Sequence, residues 1–239
     1  MKLRIKFKKY GPIRFIGHLD VMRFFQKAIR RAQIDVAYTN GFSPHQVMAF
    51  AAPLGVGLTS NGEYMDIEVL SIKSCRDVME RLNRACVPGI EVTSVIVLPE
   101  NAGNAMASVA AAAYTVCFRE GREPKADIAE ILPDFMAKSE IRITKETKKG
   151  FREMDLKPGI FRLDYNHGTF TMLVDASSGG NIKPSQVVEA ILAECGESLQ
   201  ENALRITREE IYMNTMTPDG PELIPLDGIG EGIFDEQEN

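Results

Sequence analysis

KLRIKFKKYGPIRFIGHLDVMRFFQKAIRRA, residues 2–32, decides how the rest of the chain reads. Its first eight residues alternate at period two, with Leu3, Ile5 and Phe7 on one side and Lys2, Arg4, Lys6 and Lys8 on the other. That is the pattern of a half-buried strand with a basic outer face. After Gly11-Pro12 the period changes. Leu19, Met22, Phe25, Ile29 and Ala32 recur at helical spacing and predict an amphipathic helix over about 18–32. Asp20, Arg23, Lys27 and Arg30 make the opposite stripe, with Arg31 at its edge.

Working outward, YMDIEVL at residues 64–70 alternates as a strand. Ser74 followed by Asp77 opens a second helix with buried-face positions Cys75, Val78, Met79, Leu82 and Cys86. Pro88-Gly89 stops that helix, and residues 91–98 are β-rich. Strand, helix, strand, strand, helix, strand is the ferredoxin-like order. PENAGNAMAS then reads as a linker. Beyond it come a strand over 109–118, a helix over 125–137 perturbed by Pro133, and a strand over 139–144. A hairpin around Asn166-His167-Gly168, a helix opened by Pro184 and a strand over 204–213 complete the order. The expected fold is therefore α+β: two tandem ferredoxin-like domains, residues 1–98 and 109–216, joined by a linker at 99–108. An acidic, disordered C-terminal tail is expected over 217–239.

The 239 residues carry a formal charge of −5, with 44% hydrophobic and 26% charged residues. That composition suits a globular chain and excludes collagen-like and disordered classes. No apolar run approaches the roughly 20 residues of a membrane span, and the N-terminus has no signal-peptide h-region, so a cytoplasmic protein with no membrane contact is expected. The average charge hides an asymmetry. Residues 1–50 hold ten Lys or Arg against two Asp, which is +8, whereas residues 219–239 hold seven acids and no base. Residues 138–162 hold eight bases against four acids, +4, in an expected flexible loop bearing Phe151. Basic surfaces with an exposed aromatic suit a nucleic-acid backbone and a stacked base. The candidate phosphate-binding residues are Arg14, His18, Arg23, Lys27, Arg30, Arg31, Lys145, Lys148, Lys149, Arg152 and Lys157. For each, the plain alternative is a solvated charged face.

Catalysis has thinner support. His18 sits at a helix start, where backbone N–H groups favour an anion. His18, Asp20 and His45 are weak acid–base or metal candidates, and Glu63 with Asp66 a weaker carboxylate pair. Neither histidine spacing matches a metal motif, and no resident metal or cofactor is expected. The glycines of PLGVGLTSNG, residues 53–62, match no phosphate-loop pattern and are read as turn formers. The four cysteines lie far apart, as reduced thiols would.

The blocks RFIGHLDVMRFFQKAIRRA, GFSPHQVMAFAAPLGVG and EYMDIEVL, followed by KKGFREMDLKP at 148–158, resemble the bacterial radical SAM-linked protein family, a domain of unknown function. Members of that family occur beside or fused to a radical SAM protein, often near ribonuclease and ribosomal-protein genes. The resemblance implies a radical SAM enzyme as partner. This chain has no three-cysteine cluster motif, so a radical step would belong to the partner. The expected role is an RNA-binding accessory protein that presents tRNA or rRNA. Two rivals stand beside it. One is a metal-independent endoribonuclease using a histidine, similar to the enzymes that process CRISPR repeats. The other is a protein adaptor without RNA contact.

Overall fold

The structure, a computed structural model, describes residues 1–147, 150–218 and 220–230. In chain order the elements are β1 (Lys2–Lys9), α1 (His18–Arg31), β2 (Asp35–Val36), β3 (Met48–Phe50), β4 (Thr59–Ser71), α2 (Cys75–Ala85), β5 (Ile90–Val97) and α3 (Ala105–Ser108). They continue as β6 (Ala111–Phe118), α4 (Ile128–Ala137), β7 (Arg142–Thr147), β8 (Gly150–Asp155), β9 (Ile160–Asn166), β10 (Thr169–Asp175), α5 (Pro184–Glu194), β11 (Leu204–Thr217) and β12 (Gly220–Pro225). The fold is α+β and divides into two units, residues 1–110 with 210–239, and residues 111–209.

In the first unit β1 lies between β5 and β4, antiparallel to both. β4 pairs with β1 over residues that also pair with β3, so β3 runs along its other edge. The inward side of β1, Leu3, Ile5 and Phe7, packs with Met65 and Ile67 of β4 against Phe25 and Ile29 of α1 and Val78 and Leu82 of α2. Ser74 caps α2, its hydroxyl accepting from the Asp77 N–H at 3.0 Å. Leu19, expected in the apolar stripe of α1, is exposed instead, and Val21 and Ala28 take the buried positions.

Two expectations, the solvated basic face of β1 and the acidic tail from residue 217, are corrected here. The second face of β1 is not a solvated basic surface, because Arg4 is 0% exposed and Lys6 is ion-paired. Residues 99–108 are tied down: Ala105, at the start of α3, is buried and donates its N–H to Asp66 at 2.8 Å. Past Thr217 the chain turns back, and β12 pairs with the end of β11 from Tyr212↔Pro225 to Thr217↔Gly220. A 3-10 turn, Leu226–Ile229, then buries Leu226. Gly230 lies so close to β5 that a Cβ there would stand 2.3 Å from Ile96 Cδ1. The acidic segment was read as a tail because prolines and glycines break its periodicity, yet Leu226 and the close-packing Gly230 anchor its first part. Residues 231–239, the rest of the expected tail, lie outside the described residues.

In the second unit β10 is flanked by β9 and β6, and β11 is the neighbour of β6. Val116, Phe170 and Val174 of this sheet pack with Phe135 of α4 and Val187 and Ile191 of α5. His167, at φ 47°, and Gly168, at φ 77°, make the β9–β10 turn. The expected flexible basic loop is instead largely a hairpin, β7 with β8, in register from Arg142↔Asp155 to Thr147↔Gly150. Ile143, Thr144 and Thr147 in one strand and Phe151 in the other are β-favouring residues, and the density of charge around them concealed the pairing.

Candidate nucleic-acid interface

Helix α1 is fixed by its apolar side, and its polar side carries the predicted stripe. Gly17, in extended conformation, precedes the helix without a side-chain cap, and Gln33 follows it at φ 52°. Arg23, Lys27 and Arg30 are all exposed and lie on successive turns. Asp20, in the first turn, makes a 3.3 Å ion pair with Arg23, both side chains well exposed. A surface pair of this kind contributes only about 0–1 kcal/mol, so it does not withhold Arg23 from an anion.

Arg31 has a different part. It donates to the Ala85 carbonyl at 2.8 Å, at the end of α2, and its guanidinium lies 5.9 Å from the Phe24 ring centre. Arg81 of α2 returns the favour, donating to Ala32 and Gln33 carbonyls at the end of α1 and pairing with Asp77 at 3.0 Å. Each helix thus supplies an arginine to the other's terminal carbonyls, where a cation is favoured. The cleft between them, about 380 Å³, is lined by Arg31, Arg81 and the exposed Arg84. Arg84 was not singled out from sequence, because it lies 53 positions beyond Arg31.

The corner before α1 is a 3-10 turn, Gly11–Phe15. Tyr10 N–H donates to the Gly89 carbonyl at 2.9 Å, and Gly57 N–H donates to the Arg14 carbonyl at 2.8 Å. Buried Lys9 donates its ammonium to the Ile16 carbonyl at 2.9 Å. Gly57 stands at φ +88°, which accounts for one glycine of the PLGVG block as a turn former. Gly89 has a second reason besides φ +103°: a Cβ would meet Ile13 at 2.6 Å and the Tyr10 carbonyl at 2.8 Å. Arg14 donates to the Gly11 carbonyl at 3.3 Å and stacks over Phe15, 4.5 Å from its ring centre.

His18 closes this corner. Its ring meets Phe50 edge-on at 5.3 Å between centres. Burial holds its pKa below the ordinary histidine value, with buried Glu63 pulling upward and Lys9 downward. The structure does not gather His18, Asp20 and His45. His45 is exposed and bonds Thr39, with Nδ1 at 3.1 Å from Oγ1, while Asp20 faces Arg23. Among the described residues no three His, Cys, Asp or Glu side chains form a ligand group.

On the second face of the β5–β1–β4 sheet lies a polar network that sequence reasoning missed. Arg4 Nε and Nη2 donate to the two oxygens of Asp66 at 2.8 and 3.0 Å. Nη1 donates to the Leu226 carbonyl at 3.0 Å, and Nη2 donates also to the Gly103 carbonyl at 3.2 Å. Next along the strands, Tyr64 Oη stands 2.7 Å from Glu210 and 2.9 Å from Asp227. One hydroxyl proton serves two carboxylates, and the Lys6 ammonium, held by Glu210 and 3.9 Å from Asp227, supplies the compensating charge. Burial and the two carboxylates push the Tyr64 phenol far up. Asp66 therefore belongs to a structural lock and is no partner of Glu63 in acid–base work.

In the second unit the β7–β8 hairpin carries Lys145 and Arg152 at paired register positions, and Phe151 is exposed. Lys148 and Lys149 lie outside the described residues. Lys157 is committed locally, donating its ammonium to the Met136 carbonyl. Arg142 pairs with Glu140 at 2.9 Å and Glu153 at 3.7 Å. All four cysteines are free thiols, with Cys75 buried and the others half-buried. No helix among the described residues is long and apolar enough to cross a membrane.

Residues 2–184 match the model of a family described as "Uncharacterized protein conserved in bacteria (DUF2344)". No curated protein matches the sequence. The match spans more than half of the chain, so the chain belongs to that family.

Proposed function

We propose that this member of an uncharacterized bacterial family is an RNA-binding accessory protein that presents tRNA or rRNA to a partner radical SAM enzyme. One observation carries the RNA part: Arg23, Lys27 and Arg30 stand exposed in a row on a helix whose other side is anchored in the core. At about 1.5 Å per residue the row spans about 10 Å of helix axis, a line of charge matched to a phosphate backbone. Arg14 and Arg84 are further cations of the same unit, and in the second unit the β7–β8 hairpin is a separate basic element with exposed Phe151. The radical SAM partner is what the resemblance of the GHLD, GFSPH and PLGVG blocks to the radical SAM-linked protein family implies, and the chain has no cluster motif of its own. We also read each unit as ferredoxin-like. The orders β5-β1-β4-β3 and β11-β6-β10-β9, each with two covering helices, support it.

Mobility shifts with total RNA at two salt concentrations test the binding. Binding that weakens sharply with salt is expected, and absent or salt-independent binding refutes it. One observation favours a second reading, RNA cleavage: His18 lies half-buried at the start of α1, next to the Arg14–Phe15 corner, and burial lowers its pKa, the direction that leaves an imidazole available as a base. In that case His18→Ala abolishes cleavage of a labelled RNA and leaves binding intact. A wild-type protein that binds without cutting removes this reading. Capture of a radical SAM enzyme that survives nuclease treatment, together with no RNA shift, favours the adaptor.

A further inference from the structure

We propose that Phe15 is a stacking platform for an unpaired RNA base, so that the RNA is gripped at a single-stranded segment. The inference rests on the RNA-binding reading above and names the form of RNA it takes. Phe15 ends a turn that the fold holds on every side: Tyr10 is bonded to Gly89, Gly57 to Arg14, and Lys9 to Ile16. Ile13 and Ile16 of the same segment pack against the core, whereas Phe15 is 59% exposed. An aromatic ring held rigidly into water contributes little to folding, because burial is what makes such a ring stabilising. One ring face is already occupied by the Arg14 guanidinium at 4.5 Å. That arrangement adds a cation to a π-surface that is still 59% exposed.

The surroundings select the occupant. Val56, 60% exposed, adjoins Gly57, the residue bonded to the Arg14 carbonyl. Leu19, 64% exposed, lies in the first turn of α1 and follows His18. Arg23 stands one turn further along the same helix, and Lys27 and Arg30 continue the row. A partner for this corner must offer a flat apolar body joined to a run of negative charge. A nucleobase on its own phosphate backbone does so. Residues 14–31 hold Arg14, Arg23, Lys27, Arg30 and Arg31 against Asp20, a +4 surplus that disfavours an apolar protein surface without acids. In a duplex both faces of each internal base are already stacked, so the platform takes bases that are unpaired.

The chain has no tryptophan, so Phe15→Trp creates a single fluorescent reporter at the platform in the full-length protein. A single-stranded RNA oligonucleotide is expected to quench its emission, and a blunt RNA duplex of equal charge is not. Phe15→Ala is expected to weaken single-strand binding about 5- to 150-fold, the range for one stacked base, without changing the salt dependence. Its far-UV circular dichroism and melting temperature stay those of the wild type, since the ring is exposed. If Phe15→Ala binds the single strand as the wild type does, or bound RNA leaves the tryptophan unquenched, stacking is refuted and the basic stripe stands. If the wild type binds neither RNA form, both the stacking and the RNA-binding reading fall.

Discussion

Removing the carboxylate of Asp66 should unfasten the first unit, and the size of the effect can be worked from its contacts. Arg4 is fully buried and makes four hydrogen bonds, two of them to Asp66, which also accepts from the Ala105 N–H. Asp66→Ala takes away both acceptors facing the guanidinium and orphans the Ala105 N–H, leaving a positive charge buried with two backbone carbonyls. Breaking one half of a buried ion pair costs about 3–5 kcal/mol. That is a large share of the roughly 5–15 kcal/mol that keeps a typical protein folded. Replacing both partners by apolar residues, Arg4→Met with Asp66→Leu, removes the stranded charge and is expected to cost less than Asp66→Ala alone. Urea unfolding followed by circular dichroism gives both numbers. Hydrogen exchange should show early loss of protection in the 226–229 turn, whose Leu226 carbonyl depends on Arg4. An Asp66→Ala protein within about 1 kcal/mol of the wild type, or a double variant no better than the sum of the singles, would refute the reasoning.

Two further outcomes follow from the same side chains. Tyr64→Phe removes the proton shared between Glu210 and Asp227, and a hydrogen bond to a charged group is worth about 1.5–3 kcal/mol, so the melting temperature falls and the 226–229 turn exchanges faster. An unchanged melting temperature would contradict the network. His18, with its pKa lowered by burial, should titrate by NMR below the ordinary value of about 6.5. Between those two values the unfolded chain binds more protons than the folded one, so stability falls as pH drops through that window, and His18→Gln removes this part of the loss. A midpoint at or above 6.5 would refute the burial argument.

Local signals in the sequence carried far, and long-range ones did not. The strand–helix start at 2–32, the Ser74 cap, the Pro184 helix start and the turn at His167-Gly168 all depend on neighbours within a few residues, and they read directly. Arg4 and Lys6 were legible only as an outer basic face. What covers them, Gly103, Glu210, Leu226 and Asp227, lies about a hundred to more than two hundred positions away. A period-two pattern says that a face is polar and leaves open whether water or another polar group meets it. The acidic C-terminal segment misled for the same reason, since Asp227 is one of those partners. At the candidate interface the α1 stripe was legible because helical spacing alone places Arg23, Lys27 and Arg30 together. Arg84 and Val56 reach that unit's surface from other elements, and no spacing rule connects them to α1.

The most direct test of the account is the salt dependence of RNA binding by the wild type and by the combined Arg23→Ala, Lys27→Ala, Arg30→Ala variant. Each phosphate contact to a single strand contributes about 0.7 to the slope of log affinity against log salt. If the stripe grips phosphates, the variant's slope is shallower by about 2 and its affinity at low salt is lower, with the fold intact by circular dichroism. A variant whose slope and affinity equal those of the wild type would contradict the central claim.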